Sequence, residues 1–156
     1  MRVAILGSGS WATALAKIVM HNASEINWYI RKQETIDEFI QTRRNPNHLE
    51  WAYFDVSCIH FSADINFTIN QSDLIVVAIP SPYLKEIFNE ITVDMSKKII
   101  ISAVKGMMPD SNILVTDFLH QHFQIPEHQL GMITGPCHAE EIAFERLSYL
   151  TIGCSD

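Results

Sequence analysis

The sequence predicts a doubly wound, mostly parallel α/β sheet with helices on both faces. Three observations carry that prediction. Short runs of Val and Ile recur with almost no polar residue inside them, the pattern of strands buried on both sides. Between these runs the apolar residues fall at helical spacing. The first junction between the two patterns is closed by a pair of glycines, Gly7 and Gly9.

Taken in order, residues 3–6 are apolar throughout and read as a first strand. Residues 11–20 follow as a helix with Ala12, Leu15, Ala16 and Val19 on one face. Residues 26–30 form a second strand, and Ile36, Phe39 and Ile40 mark a helix stripe that ends before Asn45-Pro46. The stretch NHLEWAYFD, residues 47–55, is aromatic without a period, so a loop packed on the sheet is expected there. Ile59 and Phe61 fit a short third strand, and Ile65 and Ile69 a short helix. Residues 74–79, LIVVAI, are the clearest buried strand. Helical spacing returns at Leu84, Ile87, Phe88 and Ile91, and residues 99–101 add a strand. A helix over 113–123 and a strand over 130–133 come next. A last helix over about 136–144 precedes a terminal strand over 149–153. Strands alternating with helices in this way pair in parallel, with helices covering the sheet.

Bulk properties narrow the function classes. A chain of 156 residues that is 47% apolar and 19% charged has the core of one domain. A net charge of −7 argues against a nucleic-acid surface, which requires clustered Lys and Arg against phosphates. Cys58, Cys137 and Cys154 are odd in number and far apart, so neither a disulfide framework nor a CxxC knuckle is expected, which favours a reducing compartment. No apolar run reaches membrane-spanning length and no leader pattern precedes the first strand, so a cytoplasmic protein without membrane insertion is expected. His120 and His122 lie two apart on a helix and point in different directions, so no metal site is expected.

The glycine junction carries the first chemistry. Gly7 permits a sharp turn out of the strand, and Gly9 leaves bare backbone where an anion can approach. Ala12 is small enough for helix and strand to pack closely. The free amides and the dipole at the helix start favour a pyrophosphate. The strand–turn–helix context points to a Rossmann-type dinucleotide site. The second strand then ends in Arg31-Lys32, where a carboxylate would suit NAD ribose hydroxyls. A guanidinium there pairs with a 2′-phosphate, so NADP is favoured over NAD, without NAD being excluded.

Ligands in such sheets lie outside the carboxyl ends of the strands. Pro80 ends the LIVVAI strand beside the expected nicotinamide ribose. Lys105-Gly106 follows the IIIS strand, and from there Lys105 reaches toward a substrate oxygen to orient a hydroxyl or polarise a carbonyl. Gly135-Pro136 reads as a strand stop with proline at the first helical position, presenting amides to an anion. Cys137 is expected to line the site rather than act as a nucleophile, since no base partner is identifiable.

These pieces together resemble one family. GSGSWATALA, WYIRK, RRNPNHL, SDLIVVAIPSPYLKEI, ISAVKGM and TGPCHAEEIA occur in the order found in the N-terminal half of bacterial NAD(P)-dependent glycerol-3-phosphate dehydrogenases. That family interconverts sn-glycerol 3-phosphate and dihydroxyacetone phosphate by hydride transfer, feeding phospholipid synthesis. The resemblance implies that Ser10, Trp11, Arg31 and Lys32 line the cofactor site and that Lys105 touches cofactor and substrate. It places Ala139 near the nicotinamide and Gly135 and Cys137 at the substrate, although the last position is commonly Ser or Thr in the family. It further implies that residues 1–156 are the NAD(P)-binding domain. A helical domain carrying the acid/base lysine, the phosphate-binding residues and the homodimer contact is expected to follow in the parent protein. The chain alone is then expected to turn over negligibly, with apolar residues exposed near its C-terminal strand. Two other readings stay open: a reductase of the same superfold acting on a hydroxyacid or ketopantoate, and a stand-alone NAD(P)H-sensing module.

Overall fold

The computed structural model describes residues 1–155 of the chain. Its elements alternate as the apolar pattern predicts. Strand β1 (Val3–Leu6) leads to α1 (Ser10–Met20), β2 (Ile26–Tyr29) to α2 (Gln33–Thr42), and β3 (Ile59–Ser62) to α3 (Ile65–Asn70). In the second half β4 (Leu74–Val77) leads to α4 (Ser81–Asn89), β5 (Ile99–Ser102) to α5 (Val115–Phe123), and β6 (Leu130–Thr134) to α6 (Ala139–Ala143). Strand β7 (Thr151–Cys154) follows.

The strands form one sheet in the order β3-β2-β1-β4-β5-β6-β7. The first six in chain order pair in parallel, and β7 runs antiparallel to β6. The chain steps outward from β1 to β3 and then returns to lay β4 on the other side of β1. This reversal opens a crevice beyond the carboxyl ends of β1 and β4, where open α/β sheets bind ligands.

Strand periodicity divides the core into two layers. Val3 and Ile5 of β1 face a cluster built with α1, α2, the 45–55 loop and α6, whereas Ala4 and Leu6 face a cluster built with α3, α4 and α5. Trp28 on β2 is fully buried at the centre of the first layer. Phe39 and Phe54 meet it edge-on at ring-centroid distances of 5.3 and 5.5 Å, and Phe61 stacks at 5.8 Å. Edge and offset contacts of this kind add about 0.5–1.5 kcal/mol per pair beyond area burial. The aromatic stretch at residues 47–55 is a loop, as expected. Leu49, Ala52 and Phe54 are buried in it, while Trp51 and Tyr53 are exposed.

Several boundaries differ from the sequence expectation. The LIVVAI strand is regular only as far as Val77; the Ala78 amide still donates to the Leu6 carbonyl at 2.9 Å, and Ala78 and Ile79 then pass beside Gly7 on their way to Pro80. Ile40 is exposed rather than part of the buried stripe of α2, and Ile91 lies beyond the end of α4. The expected helix over 113–123 starts at Val115, since residues 107 and 114 form an isolated antiparallel bridge. The last helix is the largest correction. It begins at Ala139, so Pro136 is not its first helical residue; Gly135, at φ +149°, and the two residues after Pro136 form a loop instead. The terminal strand is confined to Thr151–Cys154, and all four of its residues are exposed. Leu147, Tyr149 and Ile152 beside or within it are exposed as well.

Candidate functional site

The crevice between β1 and β4 is a cleft of about 250 Å³ whose floor is the glycine turn, Gly7, Ser8 and Gly9. Gly7 adopts φ +116°, and a Cβ there would stand 2.6 Å from the Ala78 carbonyl oxygen. Its side chain is excluded by the neighbouring strand. A Cβ on Gly9, by contrast, would meet nothing within 4 Å. The protein itself does not require glycine at position 9; open space lies above it, as a cradle for a ligand needs.

That turn is held from three sides. The Trp28 indole N–H donates to the Gly7 carbonyl at 2.7 Å, and the Gly7 amide donates to the Tyr29 carbonyl at 3.1 Å. Asn45, fully buried, donates through Nδ2 to the Ser8 carbonyl at 2.9 Å and to the Thr13 hydroxyl at 2.8 Å. Thr13 in turn donates to the Gly9 carbonyl at 3.0 Å. The backbone amides around the turn are therefore oriented before any ligand arrives, which lowers the cost of binding.

Helix α1 starts here with Gly9 as its N-cap and no side-chain cap. Its first amides are left for water or a ligand, and the helix dipole favours an anion. Helices α2, α4 and α5 also start without a side-chain cap, whereas at α3 the Asp64 carboxylate accepts the Phe67 amide. At α6 the Glu141 carboxylate accepts the His138 amide at 3.4 Å, and Glu140 lies in the same turn. At the expected anion-facing helix start after Gly135-Pro136, the Glu141 carboxylate thus already takes one amide, that of His138.

The cleft walls bring together several predicted residues. Arg31 and Pro80 line it, and Ala12 lies fully buried beneath it, where it lets α1 close on the sheet. Among the described residues no carboxylate lines the cleft. The Arg31 guanidinium is 4.0 Å from a Glu86 carboxylate with both side chains more than half exposed, a loose pair free to reorient. Tyr29 also contributes; burial, with Glu90 next in weight, raises its phenol above 10.0, so it stays a neutral donor. Sequence reasoning missed His48, which lines the cleft and whose Nδ1 lies 3.2 Å from the Ser10 hydroxyl. It missed Asn45 as well. Both lie in the RRNPNHL segment that contributes to the resemblance, but they reach the turn across 32 to 38 positions of chain, and no apolar period or glycine spacing marks them as site residues.

A second group forms beside the start of α1. Lys105 Nζ lies 4.6 Å from the centre of the Trp11 ring and donates to the Cys137 carbonyl at 2.9 Å. The Cys137 thiol is buried, belongs to the apolar cluster under α1 and α6, and donates to the Tyr149 carbonyl at 2.8 Å. Only its main chain reaches Lys105. Gly135 has an internal reason to be glycine: a Cβ would stand 2.5 Å from the Tyr149 carbonyl oxygen of the returning chain. Lys32 caps α2 as an exposed residue, and Ala139 begins α6 part-buried; neither lines the cleft.

Among the described residues no group of three or more His, Cys, Asp or Glu is arranged to hold a metal ion. No helix among them is long and apolar enough to cross a membrane. A larger concavity, about 580 Å³, opens beside α5, β6 and β7, but it shares no residue with the glycine turn.

Comparison with known proteins gives concordant results. A family model described as the N-terminus of NAD-dependent glycerol-3-phosphate dehydrogenase matches residues 2–156. A glycerol-3-phosphate dehydrogenase [NAD(P)+] from Oceanobacillus iheyensis is 30% identical over 152 residues, covering 96% of this chain and 43% of its own. The enzyme of that name from Staphylococcus carnosus is 31% identical over 148 residues, covering 93% and 44%. Among solved structures, a Plasmodium falciparum glycerol-3-phosphate dehydrogenase superposes with a TM-score of 0.86 at 28% identity, covering 100% of this chain and 46% of that one. The chain thus spans less than half the length of each of these relatives.

Proposed function

The chain belongs to the family of NAD-dependent glycerol-3-phosphate dehydrogenase N-termini, and from that premise we propose that it is the cofactor-binding half of an enzyme interconverting sn-glycerol 3-phosphate and dihydroxyacetone phosphate. The observation that carries the reading is the pairing of Gly7 with Gly9. One is required by the protein's own packing; the other faces empty space at an uncapped helix start. A pyrophosphate fits that arrangement on size and charge.

In this reading the amides at the start of α1 hold the pyrophosphate, with Ser10 and the Trp11 backbone beside it. Pro80 shapes the wall next to the nicotinamide ribose, and Ala139 lies toward the nicotinamide. Arg31, exposed and loosely paired, turns to a 2′-phosphate, with Lys32 adding positive charge; NADP is therefore bound more tightly than NAD. The chemistry supplied by a bound nicotinamide is hydride transfer. Lys105 donates a hydrogen bond to the substrate oxygen at the reacting carbon and offsets negative charge that develops there. Gly135 and the Cys137 main chain border the substrate. The acid/base group, the phosphate clamp and a homodimer contact come from a second half of the parent protein.

Calorimetric titration of the chain with NADPH and NADH tests the reading. Both nucleotides are expected to bind, NADPH more tightly, with Gly9→Val abolishing both. Absence of binding by either would overturn it. Oxidation of glycerol 3-phosphate, followed by NAD(P)H absorbance, is expected to be negligible for this chain and substantial for a longer chain that adds a second half. A longer chain that reduced ketopantoate or a hydroxyacid precursor in preference would move the assignment to that substrate class.

A further inference from the structure

The Trp11 Nε1–H is buried without a hydrogen-bond acceptor, although buried indoles usually satisfy that donor. The ring is therefore not oriented by a hydrogen bond. What it gains in this orientation is the Lys105 ammonium over its face, 4.6 Å from the ring centre.

Lys105 is unusual in its partners. Ion pairs among the described residues join His21 to Glu145, Arg31 to Glu86, His60 to Glu25 and Lys85 to Asp110; Lys105 takes part in none. It is held instead by two neutral groups, the Trp11 π-face and the Cys137 carbonyl. A carboxylate would fix the ammonium but cancel its charge, and an arriving anion or developing oxyanion would have to break that ion pair. A ring face and a carbonyl dipole fix direction and leave the charge in place. Two of the three ammonium protons remain available.

We propose that Trp11 is a positioning residue: its ring face, with the Cys137 carbonyl, forms a neutral cradle that holds Lys105 oriented and uncompensated toward the substrate side of the cleft. The proposal rests on the reading that Lys105 meets the substrate. It assigns the indole a role separate from that of the Trp11 backbone in the cofactor site, and it accounts for an aromatic residue at the second position of α1.

The contact has a spectroscopic signature. In the unmodified chain the Lys105 ε-methylene protons are expected upfield of an ordinary lysine, with a nuclear Overhauser contact to the Trp11 ring. Trp11→Phe keeps a π-face and is expected to retain the upfield position while removing the unpaired N–H. Trp11→Leu is expected to abolish it. Limited acetylation by acetic anhydride, with Lys85 as internal reference, is expected to modify Lys105 about 3- to 10-fold faster in Trp11→Leu, with Trp11→Phe near the parent rate. Ordinary ε-proton positions in the unmodified chain would overturn the proposal, whether or not Trp11→Leu folds. So would an acetylation ratio that Trp11→Leu leaves unchanged. NADPH titration of the same samples separates the two readings, because failure to bind nucleotide removes the dinucleotide function while leaving the Lys105–Trp11 contact measurable.

Discussion

The Lys105 ammonium and the Trp11 ring meet 4.6 Å apart, joining the end of β5 to the first turn of α1. The contact sets the group expected to face substrate directly against the helix expected to hold the cofactor. Lys105 is exposed and makes one further hydrogen bond, to the Cys137 carbonyl. Lys105→Met is therefore expected to change stability by less than about 1 kcal/mol. In a chain with its second half it is expected to lower kcat/KM by about 100-fold or more, on the scale of losing one oxyanion donor. Urea denaturation and steady-state kinetics check the two halves, and a variant with near-normal kcat/KM would remove Lys105 from the mechanism.

Gly7 and Gly9 are expected to respond in opposite ways. Gly7→Ala drives a Cβ toward the Ala78 carbonyl at a backbone φ of +116°, and a loss of about 2–4 kcal/mol is expected. Gly9 has φ −72° and open space around its missing Cβ. Gly9→Val is expected to leave the thermal midpoint nearly unchanged while abolishing measurable nucleotide binding. Thermal denaturation with calorimetry distinguishes the pair; a strongly destabilised Gly9→Val would show that this glycine serves the fold.

Arg31→Asp replaces the one Lys, Arg, Asp or Glu among the described residues that line the cleft with a residue of opposite sign. NADPH affinity is expected to fall at least about tenfold, from losing a charge-assisted phosphate contact. NADH affinity is expected to change far less. Equal losses for the two nucleotides would place the guanidinium away from the 2′-phosphate.

Asn45→Ala removes a fully buried amide that donates to Ser8 and Thr13 and accepts from the Asn47 amide at 3.1 Å. A loss of about 2–3 kcal/mol is expected from the unsatisfied groups left behind. Weaker NADPH binding at a temperature where the variant remains folded is expected too, because the glycine turn loses one of its ties. A stable variant with unchanged affinity would show that the ties from Trp28, Tyr29 and Thr13 suffice.

At the far end of the sheet the Asp73 carboxylate accepts the Arg2 amide at 2.7 Å. That backbone hydrogen bond, followed by the Arg2 and N-terminal charges, holds the carboxyl below its ordinary 3.8. A lowered folded-state pKa contributes stability that is present above the unfolded value and is lost as pH falls through the folded one. Asp73→Asn is therefore expected to destabilise at pH 7 and to flatten the acid limb below about pH 4. Urea midpoints at neutral and acid pH measure both, and parallel curves for the two proteins would exclude the contribution.

Much of the fold was legible because its signals are local. Continuous Val and Ile in residues 3–6 and 74–77 marked strands buried on both faces, and Leu84, Ile87 and Phe88 marked a helix that does bury them. From their places at strand ends, Arg31, Pro80 and Lys105 are expected near the carboxyl edge of the sheet; Arg31 and Pro80 line the cleft and Lys105 lies beside the start of α1. The misplaced start of α6 has a tertiary cause. Proline fits the first helical position by rule, but here Gly135 takes φ +149° with the Tyr149 carbonyl where a Cβ would stand, and the loop runs on to Ala139 before the helix begins.

By itself the sequence determined the alternation of strands and helices, the glycine turn and the bare start of α1, because apolar period and missing side chains act over a few neighbouring residues. Only the tertiary structure decided that Gly7 serves packing while Gly9 faces open space, that the Cys137 thiol turns inward, that β7 runs antiparallel, and that Asn45 and His48 meet the turn. Those outcomes depend on which distant backbones come within 3 Å of each other, and no property of a single residue or its neighbours encodes that distance.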